Sequence, residues 1–161
     1  MRCSSAGYYV VVEDVMPANL RKAEMEYSDA SLKGGYGALE LASTMEDAVR
    51  EADIAVDFVP DELESKLEIF SMIDRMAPPK TILCTPTETQ SITDLASCVY
   101  RPERALALRG GLDGARVTLL TPPKALGEVV AAAVEFFQGI GYEVDLREDP
   151  DMPALVKNIS R

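Results

Sequence analysis

The chain has 161 residues, of which 47% are hydrophobic and 27% charged, enough for one compact domain with a buried core. Lys and Arg number 16 against 27 Asp and Glu, a net charge of -11, so a nucleic-acid backbone and an anionic membrane surface are both set aside as partners. There is no histidine, which removes the commonest neutral-pH base and the commonest zinc ligand together, and the three cysteines are widely separated without a CxxC pair, so no metal site is expected.

The apolar runs are short, far below the roughly 20 residues that span a bilayer, and no secretory pattern opens the chain, so a cytoplasmic protein without a membrane segment is expected. Taken in chain order, "YYVVVED" (8–14) is β-branched and ends in acids, and "ADIAVDFV" (52–59), "TILCT" (81–85), "ALALR" (105–109), "RVTLL" (116–120) and "YEVDL" (142–146) are similar short runs. Each reads as a strand. Helix starts are signalled between them by Ser43 with Glu46, Asp61 with Glu64 and Ser91 with Asp94, in each case a side-chain oxygen placed to accept from first-turn amides. From Asp61 to Met76, Leu63, Leu67, Phe70 and Ile73 recur at helical spacing, and residues 127–141 make a second long helix stopped by Gly139 and Gly141.

Strand and helix alternating in this way predict a single α/β domain over 1–161, a three-layer, Rossmann-like arrangement with a mostly parallel twisted sheet and helices on both faces. In such sheets ligands lie beyond the carboxyl ends of the strands. Four ends draw notice. Asp14 follows the first strand, where an acid accepts hydrogen bonds from a ribose, although acids also end strands as solvated caps. Val59, Pro60 and Asp61 break a strand into a helix, as a ligand-facing turn or an ordinary capped one. Thr85, Thr87, Glu88, Thr89 and Ser91 form a polar loop that either contacts a ligand or caps the next helix. Arg109 closes a strand before a glycine turn, as an anion clamp or a surface arginine.

The motifs "GYYVVVEDVMPANLRKA", "EADIAVDFVPDELESKLEIF", "PPKTILCTPTETQSIT", "RPERALAL" and "EDPDMPALVKN", in that order, resemble the NAD-binding domain of the 3-hydroxyacyl-CoA dehydrogenase family over about residues 6–158. The resemblance implies NAD as cofactor, a dinucleotide or acyl-CoA-type small molecule as partner, and a place in fatty-acid metabolism. It puts Asp14 on the ribose-binding acid, with Leu20 and Ala23 on the following helix, and makes Val59, Pro60, Asp61, Lys66, Thr85 and Pro86 the cofactor-lining positions. Asp14 favours NAD over NADP, because a carboxylate repels a 2′-phosphate.

The departures from the family pattern are equally informative. In the family a histidine removes the hydroxyl proton as hydride leaves, and a glutamate orients it. Here the histidine position reads Arg109, the asparagine position Leu112 and the serine position Glu88, with Pro86 where an asparagine usually stands, and the glutamate position falls near Thr118. Arginine stays protonated at any working pH and cannot act as that base. The catalytic set is therefore expected to be missing. The first strand, its glycine-rich turn and the helical carboxy-terminal domain are also unmatched, so the sheet is expected to be incomplete at its amino-terminal side, to be filled by upstream residues or by another chain. Three readings follow: a catalytically impaired NAD-binding domain, an active NAD-dependent oxidoreductase of 3-hydroxyacyl-CoA completed by a partner or by upstream residues, and a protein-interaction module whose exposed sheet edge near Tyr8–Val12 pairs with a partner strand or a second copy.

Overall fold

A computed structural model describes residues 2–34 and 37–149. The motif from 150 onward lies outside the described residues. In chain order the elements are α1 (Arg2–Ser5), β1 (Tyr9–Val12), α2 (Pro17–Leu32), β2 (Ala38–Leu41), α3 (Met45–Val49), β3 (Ile54–Val56), α4 (Leu63–Met76), β4 (Ile82–Pro86), α5 (Ile92–Ala96), β5 (Ala105–Arg109), β6 (Arg116–Thr121), α6 (Gly127–Gly139) and β7 (Glu143–Glu148), with a single 3-10 turn at Pro102–Arg104.

The sheet is split. β1 and β2 form a parallel pair, and β3-β4-β5-β6-β7 form a five-stranded sheet in that order, parallel throughout except for the antiparallel step from β5 to β6. Period-two alternation along the central strands divides the core. Leu83, Ala105, Ala107 and Leu120 pack with Phe70 and Ile73 of α4 and Ile92 and Leu95 of α5. Cys84, Leu106, Leu108, Val117 and Leu119 face the other way, onto Val129, Ala133 and Phe137 of α6. Helices thus cover both faces, the three-layer α/β arrangement that the sequence predicts. β4 and β5 are buried along nearly their whole length because they lie inside both layers.

Three local starts differ from expectation. α3 is capped by Thr44, whose hydroxyl accepts from Asp47 N, and not by Ser43 one residue earlier. α4 begins at Leu63 with Glu62 in the cap position and no side-chain cap bond, because the Asp61 carboxylate is engaged elsewhere. Ser91 does cap α5 by accepting from Asp94 N, as its spacing predicts. β2 and the length of α2 are additional to the predicted elements. α2 buries no residue, which explains why no apolar stripe announces it.

Candidate functional site

The carboxyl ends of β1, β3, β4 and β5 carry the residues singled out from the sequence. Beyond β1, the Asp14 carboxylate accepts from Met16 N at 2.7 Å through Oδ1 and from Asn19 Nδ2 at 2.8 Å through Oδ2. These bonds turn the chain into α2 and fix the carboxylate at the strand end. An ionised carboxylate offers about four acceptor positions, so capacity remains for the two hydroxyls of a ribose.

The end of β3 is organised by a buried ion pair. Lys66 Nζ donates to Asp57 Oδ1 at 2.8 Å, and both side chains are 1% exposed. This setting differs from the cofactor-lining one expected for Lys66. Its α4 position points it under the sheet end, where it balances an acid that would otherwise be an isolated charge in a dry interior. Asp57 also donates its backbone N–H to Cys84 O at 3.2 Å, tying the turn to β4. Asp57 Oδ2 and the Thr85 hydroxyl are buried and without a hydrogen-bond partner among the described residues. Burial, with the Asp57 charge adding to it, pushes the Cys84 thiol up to about 12, so this cysteine is no nucleophile at neutral pH.

Asp61 joins the β3 turn to the β4 loop. Its carboxylate accepts from the Thr87 hydroxyl, from Glu88 N at 2.9 Å, from Thr89 N at 3.1 Å and from the Thr89 hydroxyl at 3.0 Å. Burial alone would raise this carboxyl, but the hydrogen bonds from Thr87, Glu88 and Thr89 outweigh it and hold Asp61 below the usual carboxylate range. Pro60 and Val59 shape the same turn, and Pro86 ends β4 opposite Leu108. The polar loop 87–91 is therefore a tethered element rather than only a helix cap.

Arg109 and Thr118 are direct cross-strand partners on the antiparallel pair β5 and β6. Residues opposite each other in such a pair hold their Cβ atoms about 4.5–5.5 Å apart, so a side chain at one position can orient the other. One Arg109 Nη donates to Gln90 O at 3.1 Å, and its Nε is buried without a partner among the described residues. Glu88 Oε1 accepts from Gly110 N at 2.8 Å, which brings an acid to the turn after β5. Leu112 stands apart: it packs against the core on the α6 face, while its carbonyl accepts from the Tyr142 hydroxyl. Of the four positions that the resemblance assigns to the family's catalytic residues, Arg109 and Thr118 are cross-strand partners, Glu88 bonds the turn directly after Arg109, and Leu112 packs towards α6.

Asp57, Gln90 and Asp149 were missed in the sequence. Asp149, 3% exposed, accepts from the Ser91 hydroxyl at 2.7 Å and from Thr93 N at 2.9 Å, closing the start of α5 from the far end of the chain. An acid nine residues before a lysine on the next helix was the available signal for Asp57. Asp149 lies 58 residues from Ser91, and spacing carries no signal at that range. Among the described residues no cluster of three or more His, Cys, Asp or Glu is placed to hold a metal, and no helix is long and apolar enough to cross a membrane.

The profile of the family described as 3-hydroxyacyl-CoA dehydrogenase, NAD binding domain, matches residues 1–109. A probable 3-hydroxybutyryl-CoA dehydrogenase of Bacillus subtilis (strain 168) is 28% identical over 118 residues, covering 65% of this chain and 41% of that protein. A 5-formyl-3-hydroxy-2-methylpyridine 4-carboxylate 5-dehydrogenase of Mesorhizobium japonicum is 24% identical over 170 residues, covering 98% of this chain and 55% of that protein. The chain thus spans about half the length of these relatives. The solved (S)-3-hydroxybutyryl-CoA dehydrogenase of Ralstonia eutropha superposes with a TM-score of 0.80 at 19% identity, over 92% of this chain and 58% of that one, a likeness of fold.

Proposed function

This chain belongs to the 3-hydroxyacyl-CoA dehydrogenase family through its NAD-binding domain, and from that premise we propose that it binds NAD but does not carry out the family's proton transfer. The observation that carries this reading is the pairing of Arg109 with Thr118 across β5 and β6. The resemblance assigns these two positions to the base and its orienting acid. Here they form a permanently charged guanidinium facing a neutral hydroxyl, and neither can take up the hydroxyl proton at neutral pH. NAD, when bound, supplies the hydride acceptor. Asp14 holds the ribose, and the turn at Val59–Asp61 and the end of β4 at Thr85–Pro86 form the wall beside it. Arg109 can polarise a carbonyl but cannot cycle a proton, and Glu88 brings negative charge towards the place where an alkoxide would develop.

Turnover of acetoacetyl-CoA with NADH tests the proposal. The expected result is no turnover by the natural chain, while NADH binding persists. A sustained rate abolished by Arg109→Ala would overturn it, because Arg109 would then be serving the chemistry. Replacing Arg109 by His together with Thr118 by Glu is expected to yield detectable turnover if loss of the pair is the only defect.

A further inference from the structure

Arg109 is a cation to which the surrounding side chains give no counter-charge. Ala105, Ala107 and Arg109 alternate onto the face of the sheet covered by α4 and α5, and Leu120 and Thr118 of β6 lie on the same face. The guanidinium is partly buried there, at the carboxyl end of β5. One Nη donates to the neutral carbonyl of Gln90 at 3.1 Å, while Nε is enclosed with no acceptor among the described residues.

The acids nearby are committed to other donors. Glu88 Oε1 accepts from Gly110 N, and the Asp61 carboxylate collects its hydrogen bonds from Thr87, Glu88 and Thr89. Thr118, directly opposite Arg109, is neutral. By contrast Arg50, Arg101, Arg116 and Arg147 each pair with a carboxylate. Arg101 is the informative comparison. Its side chain, 20% exposed, meets Asp74 through Nε at 2.8 Å, so where a guanidinium serves only to join α4 to the following loop, this fold sets an acid on that nitrogen. Arg109 keeps the same nitrogen unmatched beside a polar loop at a strand end, the place where ligands of parallel sheets lie.

We infer that Arg109 anchors the carboxylate of a small organic acid, seated over the end of β5 between the 87–91 loop and Thr118. The inference rests on the reading above that Arg109 takes no part in proton transfer. The fork of the guanidinium sets its selectivity. Nε and one Nη present two parallel N–H groups, so a carboxylate satisfies the idle Nε and gives that Nη a charged acceptor in place of the neutral Gln90 carbonyl, from which the side chain turns away. The single charge follows from the neighbours. Glu88 and Asp61 flank the place with negative charge on a chain of net charge -11, which disfavours a dianion such as phosphate. The Thr118 hydroxyl is at hand for a hydroxyl or oxo group of the same ligand. A free acid is thereby preferred over its esters and thioesters, which carry no charge at that end.

NMR of the purified chain tests this with no nucleotide present, so that failure of the carboxylate site and failure of NAD binding read out separately. The probe is 3-hydroxybutyrate, with methyl 3-hydroxybutyrate as the uncharged control and inorganic phosphate and sodium chloride as anion controls, all at one ionic strength. The Nε–H resonance of Arg109 is identified by its absence from Arg109→Lys, which keeps the charge and loses the fork. A saturable shift of that resonance is expected with millimolar 3-hydroxybutyrate and none with the ester. Ligand relaxation is expected to show at least about tenfold weaker binding to Arg109→Lys, because an ammonium offers no parallel pair of donors. An unmoved resonance would overturn the proposal, as would an equal shift with the ester or with chloride, or equal binding by Arg109→Lys. Saturation by phosphate at lower concentration would overturn it too, by assigning the site to a phosphate group.

Discussion

Asp61 shows how one side chain sets the shape of a strand end. Four donors converge on its carboxylate, and they hold its folded pKa below that of the unfolded chain. Its contribution to stability is therefore fully present above the unfolded value of about 4 and is lost as pH falls through the lower folded value. Asp61→Ala is expected to destabilise the chain at pH 7, with the gap to the natural chain closing as the pH of urea unfolding is lowered below about 4. A gap that stays constant across that window would assign the loss to packing. Lys66 makes a different kind of contribution. Lys66→Met leaves the buried Asp57 without its partner, at a cost of about 3–5 kcal/mol, whereas the pair Asp57→Leu with Lys66→Met should recover most of it. Thermal unfolding of the single and double variants separates the two cases. Lys66 also marks a limit of sequence reading: the resemblance names the position, but its burial follows from the face of α4 it occupies and from an acid that carried no signal by itself.

At the scale of elements, legibility followed burial. β5 reads plainly as Ala105–Arg109 because all but its last residue are buried between two layers, so the apolar run and the strand coincide. β2 escaped because Ala38–Leu41 is largely exposed on a two-stranded pair, and its one acid breaks the pattern. The caps were predicted within a residue, but Asp61 left the expected cap role because a distant loop competes for its carboxylate, a contact that no local spacing reveals. The approach of β2 to α1 depends on Gly37, where an added Cβ would lie 2.3 Å from Tyr8 O and 2.5 Å from Ser4 O. Backbone atoms cannot give way as a flexible side chain would. Gly37→Ala is expected to cost about 1–3 kcal/mol and to loosen exchange protection in β1 and β2 before the five-stranded sheet. A uniform loss across both sheets would show that they unfold as one unit.

At the scale of the molecule, the family is carried by the order of strand ends, and the reading of activity by what occupies them. The α/β layering and most of the strand ends were legible because periodicity and turn residues report directly on burial. The partnership of Arg109 with Thr118 was legible only through resemblance, since an antiparallel step between β5 and β6 is needed to set them opposite each other. In the proposed function, nucleotide binding outlives proton transfer in this chain. Titration of the purified protein with NADH, followed by nucleotide fluorescence and repeated on Asp14→Ala, tests it most directly. Saturable binding by the natural chain is expected, with at least about a tenfold loss of affinity in the variant, the magnitude of one charge-assisted contact to the ribose. Absence of binding at millimolar NADH, or equal binding by both proteins, would contradict it.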